Sequence, residues 1–204
     1  QLKHRKTGNE LTKELEHDRY LGDFLKANIP GKDNGFDIEG LALNGDRLLV
    51  GLRGPVLRGW AVLLELQLTE DKPGILKLQQ IGDKKQPYIR HFLNLNGLGI
   101  RDLCPWHDTL LVLAGPTMTL DGPLQIFSIP FAALKSVTLL HHPPLVLDLP
   151  QSRGGDRAEE IGRAHVCTPH PCNSYGVFCL KKNIAVQSGI VCKSQHFFSF
   201  LVNA

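Results

Sequence analysis

The sequence lacks the features that would place it in a membrane. It has no run of eighteen or more apolar residues, and its first twenty residues are rich in charge. We therefore expect neither a transmembrane helix nor a secretory signal peptide, and no membrane partner. The location of the protein stays undetermined on this basis, with the cytoplasm slightly favoured.

A strong basic excess is also missing from most of the chain. Residues 1–159 carry 19 Lys and Arg against 19 Asp and Glu, so the formal net charge of +3 comes from the last 45 residues. Nucleic-acid-binding surfaces need a basic stripe, and a neutral body does not supply one. The predicted partner is an unknown small molecule or protein, and no nucleic acid.

Cysteine is scarce before residue 160, where Cys104 stands alone, whereas four cysteines follow it. Thiolate and imidazole groups are preferred zinc ligands, so a zinc site in this last segment is one interpretation, and two disulfides are another. No CxxC pair occurs, however, and nothing indicates export. The residues concerned are His165, Cys167, His170, Cys172, Cys179 and Cys192.

Residues 160–182, "EIGRAHVCTPHPCNSYGVFCLKK", resemble a translated sequencing adapter. The adapter codons GAG ATC GGA AGA GCA CAC GTC encode residues 160–166. The far end of the same adapter, followed by adenines, encodes residues 174–182 with one difference, Gly176 in place of Ala. Because two blocks match in the right order, we predict that residues 160–204 are an artefactual tail without native structure, and we assign them no metal site.

Residues 9–27 have the spacing of an amphipathic helix. Their apolar side chains fall near one face at helical intervals, with charges on the other, and Pro30 and Gly31 stop the pattern. The ordinary width of the apolar stripe favours a helix that packs on a larger body over one that binds a partner. The apolar residues are Leu11, Leu15, Leu21, Phe24 and Leu25.

From residue 36 to residue 150 the chain changes to short leucine-rich and β-branched runs separated by Gly, Pro, Asn and Asp. "LALNGDRLLVGL" predicts a hairpin that turns at Asn44-Gly45, since these residues tolerate positive φ. "LLELQL" alternates apolar and polar residues, as a strand with one solvent-exposed face does. Because no helix pattern intervenes, the predicted fold class is all-β and mostly antiparallel.

A repeat of about 60 residues is visible within this region. "IEGL" at 38–41 is echoed by "IRDL" at 100–103, and a third copy starts near residue 157. Units beginning near 36, 98 and 157 predict a truncated β-propeller-like domain over residues 1–159, because sheets repeated around an axis leave only short edges. A β-sandwich is the alternative.

The segments "DIEGLAL", "GLRGP", "GIRDL" and "LAGPT" carry a family resemblance. Over about residues 33–159 the chain resembles an uncharacterised bacterial family, domain of unknown function 3616. The resemblance implies a β-propeller-like protein longer than this chain, and it implies no reaction. After "GGDRAE" the family pattern has glycine where Glu160 stands here, so the third unit is expected to be cut short.

Charged residues recur at equivalent places of the predicted units, where a propeller would bring them to one channel mouth. We expect the site to bind a ligand or partner without a cofactor, with arginines gripping an anion. The alternative is a metal-dependent phosphoester or ester hydrolase whose carboxylates hold Ca²⁺ or Mg²⁺. A purely structural role, in which each carboxylate caps a turn or pairs with a nearby arginine, also stays open. The candidates are Asp37, Glu39, Arg53, Arg101, Asp102, Arg157 and Glu159.

Overall fold

The computed structural model describes residues 9–27, 29–118, 122–136 and 139–149. The helices of this part are α1 (Glu10–Glu16), α2 (Gly22–Lys26) and α3 (Phe131–Ser136), with a 3₁₀ turn at Gly31–Asp33. None of the described helices is long and apolar enough to cross a membrane. The strands are β1 (Asp37–Asn44), β2 (Arg47–Gly54), β3 (Trp60–Lys72), β4 (Ile75–Leu78), β5 (Ile89–Asn94), β6 (Gly99–Trp106), β7 (Thr109–Gly115), β8 (Leu124–Pro130), β9 (Leu139–Leu140) and β10 (Leu145–Leu149).

These strands form two sheets. Sheet 1 has the order β1-β2-β3-β5-β9, with β4 paired to β3, and sheet 2 has the order β10-β8-β7-β6. All of these strand pairs are antiparallel except β5 with β9, which is parallel. The all-β, mostly antiparallel class predicted from the alternating runs is therefore confirmed.

Both sheets contain a meander of four antiparallel strands, and the two meanders start at matching places in the sequence. β1 begins at Asp37 and β6 at Gly99, while β2 begins at Arg47 and β7 at Thr109, so each pair differs by 62 residues. The first strand of each meander contains a β-bulge near its start. Stacked antiparallel sheets occur in propellers and sandwiches alike, so the choice between them stays a prediction.

The two sheets pack face to face over one apolar core. Leu49 and Leu63 of sheet 1 lie in it with Ile100, Val112 and Phe127 of sheet 2. A second core covers the opposite face of sheet 1 and includes the leucines of the N-terminal helices. Sheet 1 is therefore buried on both faces, between the helices and sheet 2.

The single helix predicted over residues 9–27 is divided into α1 and α2. Asn9 begins α1, because its side chain accepts a hydrogen bond from the amide of Thr12 at 3.0 Å. The break follows from Asp18, whose carboxylate accepts the amides of Tyr20 and Leu21 at 2.7 and 3.1 Å. Such local side-chain bonds offer the backbone an alternative to helix. The apolar face survives the break, since its leucines at 11, 15 and 21 remain buried.

The hairpin predicted at Asn44-Gly45 is present but turns one residue later. Asn44 pairs with Arg47, which leaves Gly45 and Asp46 as the two-residue turn. Gly45 has φ of 62°, a conformation that glycine adopts without strain.

Candidate functional site

Four of the seven predicted site residues lie together at one end of the two sheets. Nη1 of Arg53 is 3.1 Å from Oε1 of Glu39 and 3.6 Å from Oδ2 of Asp37. Nη1 of Arg101 is 3.2 Å from Oε2 of Glu39. We call these four residues, Asp37, Glu39, Arg53 and Arg101, the Glu39 cluster.

The matching bulges bring the cluster together. Glu39 is the extra residue where the pairing of β1 with β2 shifts, and Arg101 is the extra residue where the pairing of β6 with β7 shifts. A bulge bends its strand and re-aims the side chain of the extra residue. The two residues are 62 apart in the sequence, so equivalent positions of the two meanders meet in an ion pair.

A glycine allows the sheets to approach at this point. A Cβ atom added to Gly99, the first residue of β6, would lie 1.9 Å from the carbonyl oxygen of Arg53. Any larger residue would therefore force β6 away from the end of β2. The close approach lets Arg53 of sheet 1 and Arg101 of sheet 2 reach the same carboxylate.

The cluster is partly exposed and formally neutral. Side-chain exposure ranges from 11% for Arg53 to 32% for Asp37. The guanidinium of Arg101 also donates from Nη2 to the carbonyl oxygen of Pro116 at 2.6 Å. The Nε atoms of both arginines are buried and have no hydrogen-bond partner in the described part of the chain. Arginine stays protonated, so the guanidinium groups can bind and orient a polar group but do not transfer protons.

Of the other three predicted site residues, Asp102 lies in the described part of the chain. Asp102, next to Arg101 in β6, accepts a hydrogen bond from the amide of Leu103 at 2.7 Å. Arg157 and Glu159 lie outside the described residues. So does the tail over 160–204, to which the zinc, disulfide and adapter interpretations apply.

The carboxylates of the cluster face cations that the protein itself supplies. Asp37 and Glu39 both lie against guanidinium groups. Ca²⁺ takes six to eight oxygen ligands, far more than two side chains offer. Within the described ranges, no group of three or more His, Cys, Asp and Glu side chains is placed to hold a metal ion.

Asp18 forms a second charged group, which the sequence did not reveal. Its side chain, 1% exposed, accepts hydrogen bonds from the hydroxyl of Tyr88 and the guanidinium of Arg90, as well as from backbone amides. Burial by itself raises the pKa of Asp18, but the bonds from Tyr88 and the amide of Tyr20, with the charge of Arg90, bring this pKa below its usual value. Burial and the bond to Asp18 raise the pKa of Tyr88. The group ties the N-terminal helices to β5.

Glu65 and His91 form a third group, on the face of sheet 1 that packs against sheet 2. Nε2 of the fully buried His91 is 2.9 Å from Oε2 of Glu65, and Nε of Arg47 is 3.8 Å from Oε1. The hydrogen bond to His91 lowers the pKa of Glu65 despite burial, and the positive charges of Arg47 and Lys135 act in the same direction. Sequence patterns did not point to this group, because its members lie on different strands.

The fold and the cluster define an all-β protein built from two stacked, mostly antiparallel sheets with a charged group where their first strands meet. The chain belongs to the family described as Protein of unknown function (DUF3616), which matches residues 1–171. The resemblance stated above is thus confirmed, and the match extends beyond residues 33–159 on both sides. It includes 160–171, the start of the segment interpreted as adapter, and that interpretation stays a prediction. No curated protein and no solved structure matches the chain.

The four short segments that carry the family resemblance meet at the cluster. "DIEGLAL" supplies Asp37 and Glu39, "GLRGP" supplies Arg53, "GIRDL" supplies Arg101, and "LAGPT" supplies the carbonyl group of Pro116. Pro116 was not a predicted site residue, although its segment had been singled out. Treating the four segments as parts of one site would have pointed to Pro116.

Proposed function

We propose that the protein is a β-propeller-like protein that binds a small molecule or a partner at the Glu39 cluster. The observation that carries the proposal is the meeting of equivalent bulge residues, Glu39 and Arg101, at a partly exposed end of the sheets. In a propeller, equivalent positions of successive units surround one axis, where ligands can reach them. The meander order of both sheets supports this arrangement. A β-sandwich remains the alternative architecture.

The chemistry of the cluster favours a polar ligand that carries an acidic group. Guanidinium groups present several donors in one plane and recognise carboxylate and phosphate groups. The carboxylates of Asp37 and Glu39 beside them can accept hydrogen bonds from hydroxyl or amino groups. In the predicted repeat Glu159 corresponds to Glu39, and it would add a third carboxylate from the next unit.

The hydrolase alternative lacks a supporting observation of its own. Both carboxylates of the cluster form ion pairs with arginine side chains, so neither stands free as a catalytic acid or base. A metal-dependent reaction would need further oxygen ligands beside Asp37 and Glu39. Binding is therefore the function that the geometry of the described residues supports best.

A ligand screen tests the proposal. The chain is screened by thermal shift against carboxylates, sugar acids and organic phosphates, and hits are measured by isothermal titration calorimetry. We expect a hit whose Kd rises at least about tenfold, equivalent to about 1.4 kcal/mol, in Arg101→Gln. The control Lys77→Gln changes an exposed residue of β4, away from the cluster, and should leave Kd unchanged.

Two results would contradict the proposal. One is a wild-type chain that binds no member of the panel; the other is a hit that binds Arg101→Gln and Glu39→Gln as tightly as wild type. Hydrolysis of a phosphoester that requires Ca²⁺ or Mg²⁺ and disappears in Glu39→Gln would establish the enzyme alternative instead. Circular dichroism of each variant checks that the fold is retained.

A further inference from the structure

Strand β10 leaves an open apolar edge on sheet 2. It pairs with β8 on one side, and no other described strand lies on its second side. Three successive apolar residues there, Leu145, Val146 and Leu147, are 47%, 59% and 37% exposed. Soluble proteins usually protect such an edge with lysine, proline or a covering segment, because its unpaired backbone groups bind other strands. An edge of this kind can pair with a further strand.

The equivalent edge of sheet 1 is occupied. β5 is the outermost strand of the first meander, as β10 is of the second, and β9 runs parallel beside it. Leu139 and Leu140 of β9 pair with Phe92 and Leu93 of β5. β9 belongs to the connection between β8 and β10, so the second unit contributes a strand to the sheet of the first.

The register of the two sheets places the same docking position on β10. Leu149 of β10 pairs with Leu124 of β8, and Leu93 of β5 pairs with Ala61 of β3. Leu124 has the same position in the register of β8 with β7 as Ala61 has in the register of β3 with β2. Leu149 therefore corresponds to Leu93. Leu93 is one of the two residues against which β9 pairs. The place that β9 takes on sheet 1, beside Phe92 and Leu93, thus corresponds to Asp148 and Leu149 at the end of β10, directly after the exposed apolar residues of the same edge.

We propose that the open edge of β10 binds a short extended apolar strand in parallel, as β5 binds β9, and that a following repeat unit supplies this strand. Main-chain hydrogen bonds would provide the affinity, and the exposed leucine and valine side chains would favour an apolar strand. Each unit would then add a strand to the outer edge of the unit before it. This inference concerns the outer strands and is independent of the ligand proposed for the Glu39 cluster.

A peptide that contains β9 is the natural probe. A fluorescent peptide of residues 136–143, "SVTLLHHP", is titrated with the full chain and followed by anisotropy, with a scrambled peptide as control. We expect saturable binding that weakens at least about tenfold in Val146→Lys, since edge lysines block strand addition. Leu43→Lys is the matched control: Leu43 lies on β1, at the edge of the other sheet, and is 48% exposed. This variant should bind as wild type does.

Three outcomes would overturn the proposal. The first is no saturable binding of the peptide to the wild-type chain, and the second is equal binding to wild type and Val146→Lys. The third is concentration-dependent dimerisation in sedimentation experiments that Val146→Lys abolishes while the peptide does not bind, which would assign the edge to a second copy of the chain. Because Val146 is mostly exposed, its replacement should not prevent folding.

Discussion

Asp18 and Glu39 are both carboxylates held by arginine, but they differ in exposure and therefore in what they contribute. The side chain of Asp18 is almost completely buried, whereas that of Glu39 is 29% exposed. A buried carboxylate that loses its charge or its partners destabilises a fold strongly, while a partly exposed pair is screened by water and contributes less. Asp18 is thus the residue on which stability depends, and Glu39 remains accessible to a ligand.

Asp18 should make the stability of the protein depend on pH in the acid range. Its folded pKa is lowered, so its contribution is fully present above the unfolded pKa of about 3.9 and is lost as pH falls through the folded value. Glu65, whose pKa is also lowered, acts in the same direction. We expect the free energy of unfolding, measured in urea, to fall as the pH drops from about 5 to 2.

The variant Asp18→Asn separates the contribution of Asp18 to the acid sensitivity from the contributions of other carboxylates. It should lower the free energy of unfolding at neutral pH by about 3 kcal/mol, because Arg90 loses its partner charge, and it should flatten the pH dependence. The matched control Asp23→Asn changes an exposed carboxylate of α2 and should alter both quantities little. An unchanged pH slope in Asp18→Asn would show that other groups produce the acid sensitivity.

The sequence revealed charged residues that belong to the predicted repeat and missed those that do not. Glu39 and Arg101 were predicted to meet because they stand at equivalent places of two units, and the structure brings them within 3.2 Å of each other. Asp18 and Tyr88 are 70 residues apart and belong to no repeated pattern. Their contact depends on how α1 and α2 pack onto sheet 1, which single-sequence patterns do not report.

Secondary-structure elements followed the sequence closely wherever alternation or turn residues determine them. The run "LALNGDRLLVGL" became the hairpin of β1 and β2, and "LLELQL" lies within β3. The helix prediction over 9–27 captured the buried face but not the break, because Asp18 has a side chain that competes locally for backbone amides. Periodicity thus predicted the buried face of the helix correctly, whereas Asp18 divides the predicted helix into α1 and α2.

The N-terminal helices are expected to contribute substantially to stability through their buried face. Leu15 of α1 is 1% exposed and lies in the core that covers sheet 1. Replacing it by alanine should lower the free energy of unfolding by about 2–5 kcal/mol, through lost burial and the cavity left behind. Denaturation in urea, monitored by circular dichroism, measures this loss.

The neighbouring residue provides the control for this helix variant. Glu14 is exposed on the same helix, so Glu14→Ala should change the free energy of unfolding by no more than about 0.5 kcal/mol. If Leu15→Ala were as stable as Glu14→Ala, the helices would not be packed on sheet 1 as described.

At the scale of the whole molecule, sheet 1 couples the two apolar cores. One core lies between the sheets and the other between sheet 1 and the helices, so both depend on the same strands. The Glu39 cluster adds a polar link between the sheets at one end. Loss of either core should therefore expose sheet 1 and weaken the other.

This coupling predicts a single unfolding transition for the described part of the chain. Trp60 lies at the start of β3 in sheet 1, and Trp106 lies at the end of β6 in sheet 2, so the two tryptophans report the sheets separately. In the variants Trp60→Phe and Trp106→Phe, the remaining fluorescence signal should give urea midpoints and slopes that agree with circular dichroism of the same variant. A signal from sheet 2 that changes at lower urea than the circular dichroism would show that the sheets unfold independently. In that case the shared core and the Glu39 cluster would hold the sheets together only weakly, and a ligand bound at the cluster should bring the two transitions closer.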